Sequence, residues 1–236
     1  NGQVKKGVLD EKFFGTKSGI LAAAFVYQFG WDEGHRQMER MTNMLSRVVF
    51  AAHVEYGFSL GITDISFKEQ NGFYEMLDSE FEKVNERVAE IEMHFRNKDL
   101  SKIVGPNGEG VDMKVALKDP VFAKEQVISK YTDEYEKFCL NAVLKRQEST
   151  NAMNITVNSG GRGSKGQLMQ MTAAYGQHKL GGAGRPTHGI NPDRALPHFA
   201  RGDFSAAAQG LINTCYARGH EPAGFWFAST AGRRKM

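Results

Sequence analysis

Seven apolar residues, Phe73, Leu77, Phe81, Val84, Val88, Ile91 and Phe95, recur at steps of 4, 4, 3, 4, 3 and 4. An α-helix turns once every 3.6 residues, so this spacing gathers all seven on one narrow stripe, the pattern of a coiled-coil seam. Such a stripe needs a partner to cover it. Ile128, Tyr131, Tyr135, Phe138 and Ala142 supply a second seam. Between the two lies "NKDLSKIVGPNGEGVDMKVALKDP", with Gly105-Pro106-Asn107-Gly108 as a turn cluster. The spacing therefore predicts two long helices folded back on each other as an antiparallel hairpin. A connection of roughly 20 residues is unusual in a compact domain and often functional. Glu80, Glu82, Glu86, Arg87, Glu90 and Glu92 fall on the other faces and read as solvated surface.

The flanking segments are less regular. Residues 1–16 carry turn signals around "QVKKGVL", which reads as a small β-element. "SGILAAAFVYQFG" reads as a helix, with Ser18 as N-cap and Gly30 as stop. The next helix ends at Gly57, and its Met38, Met41, Leu45, Val48, Val49 and Ala52 form an apolar face expected to be core. Beyond residue 150 glycine, proline and arginine become frequent. Pro186, Pro192 and Pro197 leave little room for regular structure before residue 203. "SAAAQGLINTCYARG" reads as a helix opened by Asp203 or Ser205 and closed by Gly219. "EPAGFWFASTAGRRKM" begins another, with Pro222 in its first turn.

"NSGGRGSKGQ" follows an extended-looking "NITV" and precedes a helical-looking "QLMQMTAAYG". Gly161, Gly163 and Gly166 match the spacing of a dinucleotide-binding fingerprint. That fingerprint needs a βαβ unit and an acidic residue about 20 positions on. A helical hairpin precedes this one, and the next acid is Asp193, in proline-broken chain. The nucleotide-binding P-loop pattern also fails, because Ser164 rather than Gly precedes Lys165. The physical idea of a phosphate loop survives. Glycines let backbone N–H groups approach an anion, a helix starting near Ser164 would point its positive end there, and Arg162 adds a planar donor fork.

Other chemistries find little support. His178, His188 and His198 are spaced too widely for a zinc site and read as packing or hydrogen-bonding residues. Cys139 and Cys215, far apart, read as reduced core residues in a reducing compartment. No nucleophile elbow, HExxH or aspartate cluster for catalytic magnesium is present. No apolar run approaches the ~20 residues needed to cross a bilayer. Net charge is only +3, so bulk charge makes no case for nucleic acid. The chain begins at Asn1 rather than Met and reads as a piece of something larger.

Two stretches carry a family resemblance. "NSGGRGSKGQLMQMTAAYGQ" resembles the Ser-Gly-x-Arg/Lys-Gly-Ser segment of the largest, β′-type subunit of multisubunit RNA polymerases. "RALPHFARGDFSAAAQGLINTCYARGHEPAGFWFASTAGRRKM" is similar to the stretch leading into that subunit's bridge helix. "NGQVKKGVLDEKFFG" and "YGFSLGITD" resemble its pore region, and the hairpin falls where the funnel helices belong. The resemblance covers essentially the whole chain in order. It implies a nucleotide-phosphate contact for Arg162, a pore-lining place for Gln170, Gln177 and His178, and the first bridge-helix turns for Phe225, Trp226, Phe227 and Arg233. Many relatives have Gln where this chain has His178, and eukaryotic-type relatives have Glu where it has Arg234.

The expected fold is mainly α with a small β-element: a long antiparallel helical hairpin plus an irregular Gly/Pro-rich pore segment. The expected division is residues 1–70 as the first part of the pore, 71–150 as the funnel hairpin, 151–203 as the pore loop and helix, and 204–236 as a helix leading into the bridge-helix start. The implied function is to line the nucleotide-entry channel of DNA-directed RNA polymerase and help orient the incoming triphosphate. No catalytic residue and no metal ligand is expected in this segment. The implied Mg2+ is held by residues outside the chain. Implied partners are the second-largest subunit and the remaining β′ pieces, nucleoside triphosphates, template DNA and RNA, with no membrane. The implied setting is intracellular: cytoplasm, virion or nucleus. A subunit encoded in several pieces, as in some viral polymerases, would suit both ends. The alternatives are a hairpin that only binds a protein partner, and a stand-alone nucleotide-binding enzyme using the glycine loop.

Overall fold

The computed structural model describes residues 11–15, 20–67, 72–178 and 196–233. They fall into two compact units, one of residues 1–64 with 148–168 and one of residues 65–147 with 169–236. Nine α-helices, two short 3-10 turns and one two-stranded ribbon are formed among the described residues. The fold is mainly α with a small β-element, as the sequence implies.

The larger unit is built on the hairpin. Helix α4 spans Phe73–Arg96 and α6 spans Pro120–Arg146. Lys124 meets Glu92, Tyr135 meets Phe81, and Arg146 lies over Phe73, so the helices run antiparallel. Phe73, Leu77, Phe81, Val84, Val88 and Ile91 are all buried, and Phe95 is half-buried. On α6 the buried residues are Ala123, Lys124, Val127, Ile128, Thr132, Tyr135, Cys139, Ala142 and Val143. Tyr131 and Phe138 are only half-buried. The second seam is thus wider than the heptad reading, because α6 is covered by more than α4. It also touches the short helix α5, Met113–Lys118, and the ribbon.

The tip between the helices is ordered by its own side chains. Val104 and Gly110 form a β-bridge around the expected turn, with Gly108 at φ 78°. Asp112 accepts the Lys114 N–H to start α5, and Asp119 accepts the Phe122 N–H to start α6, just before Pro120 at its first position.

Downstream in this unit, strand β1 (Gly176–Gln177) pairs antiparallel with β2 (Leu211–Ile212), Gly176 opposite Ile212. Helix α9, Pro222–Arg233, follows. The helix expected over residues 205–219 does not form. Gly210 sits at φ 90°, Leu211 and Ile212 are drawn into the ribbon, and the Ala206 N–H is taken by the side chain of Asn85 on α4. These partners override the helix propensity of the alanine run.

The smaller unit contains α1 (Glu11–Phe14), α2 (Ile20–Phe29), α3 (Trp31–Tyr56) and α7 (Ala152–Asn158). Gly57 ends α3 at φ 69°, as expected. The apolar face of α3 is not core among the described residues: Val48 and Val49 are exposed, and Met38, Met41 and Leu45 are only half-buried. Helix α2, ten residues long, cannot cover all 26 residues of α3. The "NITV" segment is helical rather than extended. Asn151 caps α7 by accepting the Asn154 N–H, and Met153 and Val157 are buried. Apart from Glu11–Phe14, which is helical, most of the β-element expected over residues 1–16 lies outside the described residues, as do Ser18, His188 and Arg234.

Leu77 is a fully buried member of the seam. Leu77→Ala is expected to lower stability by about 2–5 kcal/mol in chemical denaturation. A loss below about 0.5 kcal/mol, the range of an ordinary surface substitution, would mean that the seam is not the core.

Candidate functional site

The glycine-rich loop links α7 to α8, Lys165–Thr172. Gly160 and Gly163 take φ of 75° and 84°, a left-handed geometry that costs glycine little. The loop closes on its own backbone: Gly160 donates to the Val157 carbonyl and Arg162 to the Thr156 carbonyl. Helix α8 opens with a reciprocal cap. Ser164 Oγ accepts the Gln167 N–H, and Gln167 Oε1 accepts the Ser164 N–H. Two donors at the helix start are therefore already used. Any anion here would be met chiefly by the side chains of Arg162 and Lys165. Both are exposed, and neither forms an ion pair with a described residue.

Gln170, Gln177 and His178 lie in the larger unit, on and beyond α8. Gln170 Nε2 donates to the Tyr175 carbonyl at 3.4 Å. Gln177 is held firmly. Its N–H donates to Glu136 Oε1 of α6 at 2.8 Å, and its Nε2 reaches the His178 and Gln209 carbonyls at 2.9 and 3.0 Å. Gly176 makes this possible: at φ 85°, a β-carbon there would fall 2.5 Å from Glu136 Oε1. His178 stacks on Tyr175, with ring centroids 4.7 Å apart.

Tyr175, Tyr216 and His220 meet edge to face around that stack. The hydrogen bond from Tyr216 and partial burial push the Tyr175 hydroxyl up to about 12. Burial holds His220 below its ordinary value. Cys139 is a buried thiol pushed up to about 12 by desolvation, which leaves it unreactive at neutral pH.

Helix α9 docks through Gly224, Phe227 and Ala231, spaced on one face. A β-carbon on Gly224 would lie 3.2 Å from Ile212 of β2, so glycine permits close helix–strand approach. Phe225 and Trp226 remain about half exposed at 55% and 49%, and Arg233 is exposed.

The sequence reading missed the polar residues that hold these parts together. Asp78, Asn85 and Glu92 recur every seven residues on α4. Asp78 accepts two hydrogen bonds from Arg218 at 2.8 and 3.0 Å and one from Asn213. Asn85 accepts from the Ala206 N–H at 2.8 Å. Glu92, read as solvated surface, is buried instead. It pairs with Lys124 at 3.0 Å and accepts from Gln209 Nε2 at 3.2 Å. Burying that charge is tolerable only because it is paired and hydrogen-bonded. The signal available in the sequence was the heptad repeat of polar residues beside the apolar one.

Among the described residues no group of three or more His, Cys, Asp or Glu is placed to hold a metal ion, and no helix is long and apolar enough to cross a membrane.

These features define a mainly helical hairpin segment with a capped, cationic glycine loop. The family model described as "RNA polymerase Rpb1, domain 4" matches residues 116–212. The DNA-directed RNA polymerase subunit Rpo1N of Methanothermobacter thermautotrophicus is 26% identical over 237 residues, covering 100% of this chain and 25% of that protein. Its namesakes from Methanocaldococcus jannaschii and Halococcus morrhuae are each 28% identical over the whole chain, which spans 16% and 62% of their lengths. Over its whole length the chain is thus similar to DNA-directed RNA polymerase subunits, of which it spans only a part.

The desolvated His220 gives a pH test of this packing. Its folded value lies below the 6.5 of a free histidine, so the unfolded chain takes up the proton first. Stability is therefore expected to be full above the 6.5 of the unfolded chain and to fall as pH drops below it, towards the lower folded value. In denaturant titrations from pH 7.5 to 5.5, His220→Gln should flatten the decline; an unchanged slope would show that His220 is not desolvated.

Proposed function

We propose that this segment walls the nucleotide-entry channel of a DNA-directed RNA polymerase and helps orient the triphosphate of the incoming nucleotide. The observation that carries the reading is the exposed Arg162 and Lys165, without an ion-pair partner among the described residues, on a left-handed glycine turn at a helix start. Guanidinium and ammonium groups so placed suit phosphate oxygens. The likeness to polymerase subunits over the whole chain supports the same reading.

In this reading residues 71–150 are the funnel hairpin, and residues 1–70 and 151–203 belong to the pore. Gln170, Gln177 and His178 line the pore, with the side-chain nitrogen of Gln177 spent on carbonyls. Phe225, Trp226, Phe227 and Arg233 start the bridge helix. The parent reaction is template-directed nucleotidyl transfer. Magnesium bound by residues outside this chain would supply Lewis-acid stabilisation of the reacting oxygens. This chain's residues bind and orient the phosphates. Its partners are the second-largest subunit, the rest of the largest subunit, DNA and RNA, in an intracellular setting. The segment alone is inactive.

Native purification of the chain from its source should bring polymerase subunits with it; recovery as a lone monomer that binds NAD would sink the reading. One charge-assisted hydrogen bond is worth about 1.5–3 kcal/mol. Arg162→Ala in the assembled enzyme is therefore expected to raise the apparent nucleotide KM, or slow extension, about tenfold or more. Unchanged single-nucleotide addition kinetics would remove Arg162 from this role.

A further inference from the structure

Residues 204–218 have the sequence of a helix, yet they lie along α4 as turns and one strand. Helix α4 holds them at regular intervals. Arg96 lies 3.5 Å over the Phe204 ring, Glu92 takes the Gln209 side chain, Asn85 takes the Ala206 N–H, and Asp78 clamps Arg218 with both oxygens and also accepts from Asn213. The segment held in this way carries β2. One face of β2 pairs with Gly176 and Gln177, and its Ile212 is the seat for Gly224 of α9. The Gln209 carbonyl receives the Gln177 side chain, and the Gly210 carbonyl receives the His178 N–H.

We propose that Asp78, Asn85 and Glu92 are positioning residues. They keep residues 204–218 out of the helical state that their sequence favours, and so fix Gln177, His178 and the start of α9. The inference rests on the reading of those three as channel and bridge-helix elements. The stripe touches no substrate. It acts through β2, so its loss should displace the bridge-helix start while leaving the phosphate contact of Arg162 in place. A contact residue raises KM, whereas a misplaced catalytic support lowers kcat.

The test uses the assembled polymerase carrying Asp78→Arg, Asn85→Ala, or the charge-swapped pair Asp78→Arg with Arg218→Asp. Hydrogen exchange and single-nucleotide addition are both measured. Asp78→Arg and Asn85→Ala should speed exchange over residues 204–218 and 175–178 while the seam over 73–91 stays slow. They should also lower kcat at least about threefold with the nucleotide KM within about twofold. The charge swap should recover much of the loss, which a merely unfolded variant could not do. Unchanged exchange over 204–218 in both single variants would overturn the proposal. So would faster exchange with unaltered kcat, or a rise in KM alone. A fall in kcat in Asp78→Arg alongside unchanged single-nucleotide addition kinetics in Arg162→Ala would retire the phosphate contact and still support the stripe.

Discussion

Helix α4 is asked to satisfy two different neighbours at once. Its apolar stripe, from Phe73 to Ile91, is buried against α6, and its polar stripe, Asp78, Asn85 and Glu92, is hydrogen-bonded to the chain that returns 117 to 140 residues later. Both stripes depend on α4 remaining one uninterrupted helix. The 3.6-residue turn keeps each seven-residue repeat on its own face, so one helix serves both. Remove the apolar seam and the polar groups lose the frame that sets their spacing. Remove the polar groups and the seam remains, but the ribbon and α9 lose their register.

That division explains what could be read from the sequence. The hairpin was legible because periodic burial leaves a direct trace in residue spacing: Phe73, Leu77, Phe81, Val84, Val88 and Ile91 are buried as the steps require. Gly57 and Pro222 mark ends where local backbone chemistry decides alone. Residues 205–219 were misread because their partners lie on another helix. An alanine run argues for helix locally, and only the Asn85 and Glu92 side chains argue otherwise. "NITV" failed in the opposite sense. Its β-branched residues suggest a strand, but the Asn151 cap and the burial of Met153 and Val157 make a short helix. The face of α3 shows a third limit. Its spacing is that of a buried helix, while Val48, Val49 and Phe50 are exposed in this chain at 65%, 51% and 71%. Periodicity reports that a face suits burial; it does not say which chain covers it.

The candidate site follows the same logic. Arg162 could be singled out from the sequence because glycines and a cation in a turn carry their own chemical meaning. Glu136 was not, because its role depends on Gly176 bringing a strand within reach of a carboxylate 41 residues away. The glycine loop uses its helix cap internally, through Ser164 and Gln167, and so leaves the work of meeting an anion to two side chains. This favours recognition by charge over a backbone-lined cradle of the dinucleotide kind.

The central claim is that this loop meets the triphosphate of an incoming nucleotide. The most direct measurement is photo-crosslinking in the assembled polymerase, with a nucleoside triphosphate that carries an aryl azide on its γ-phosphate. Peptide mapping should place the label within residues 159–165. Labelling that is confined to other subunits, or to residues 196–233 of this chain, would contradict the account.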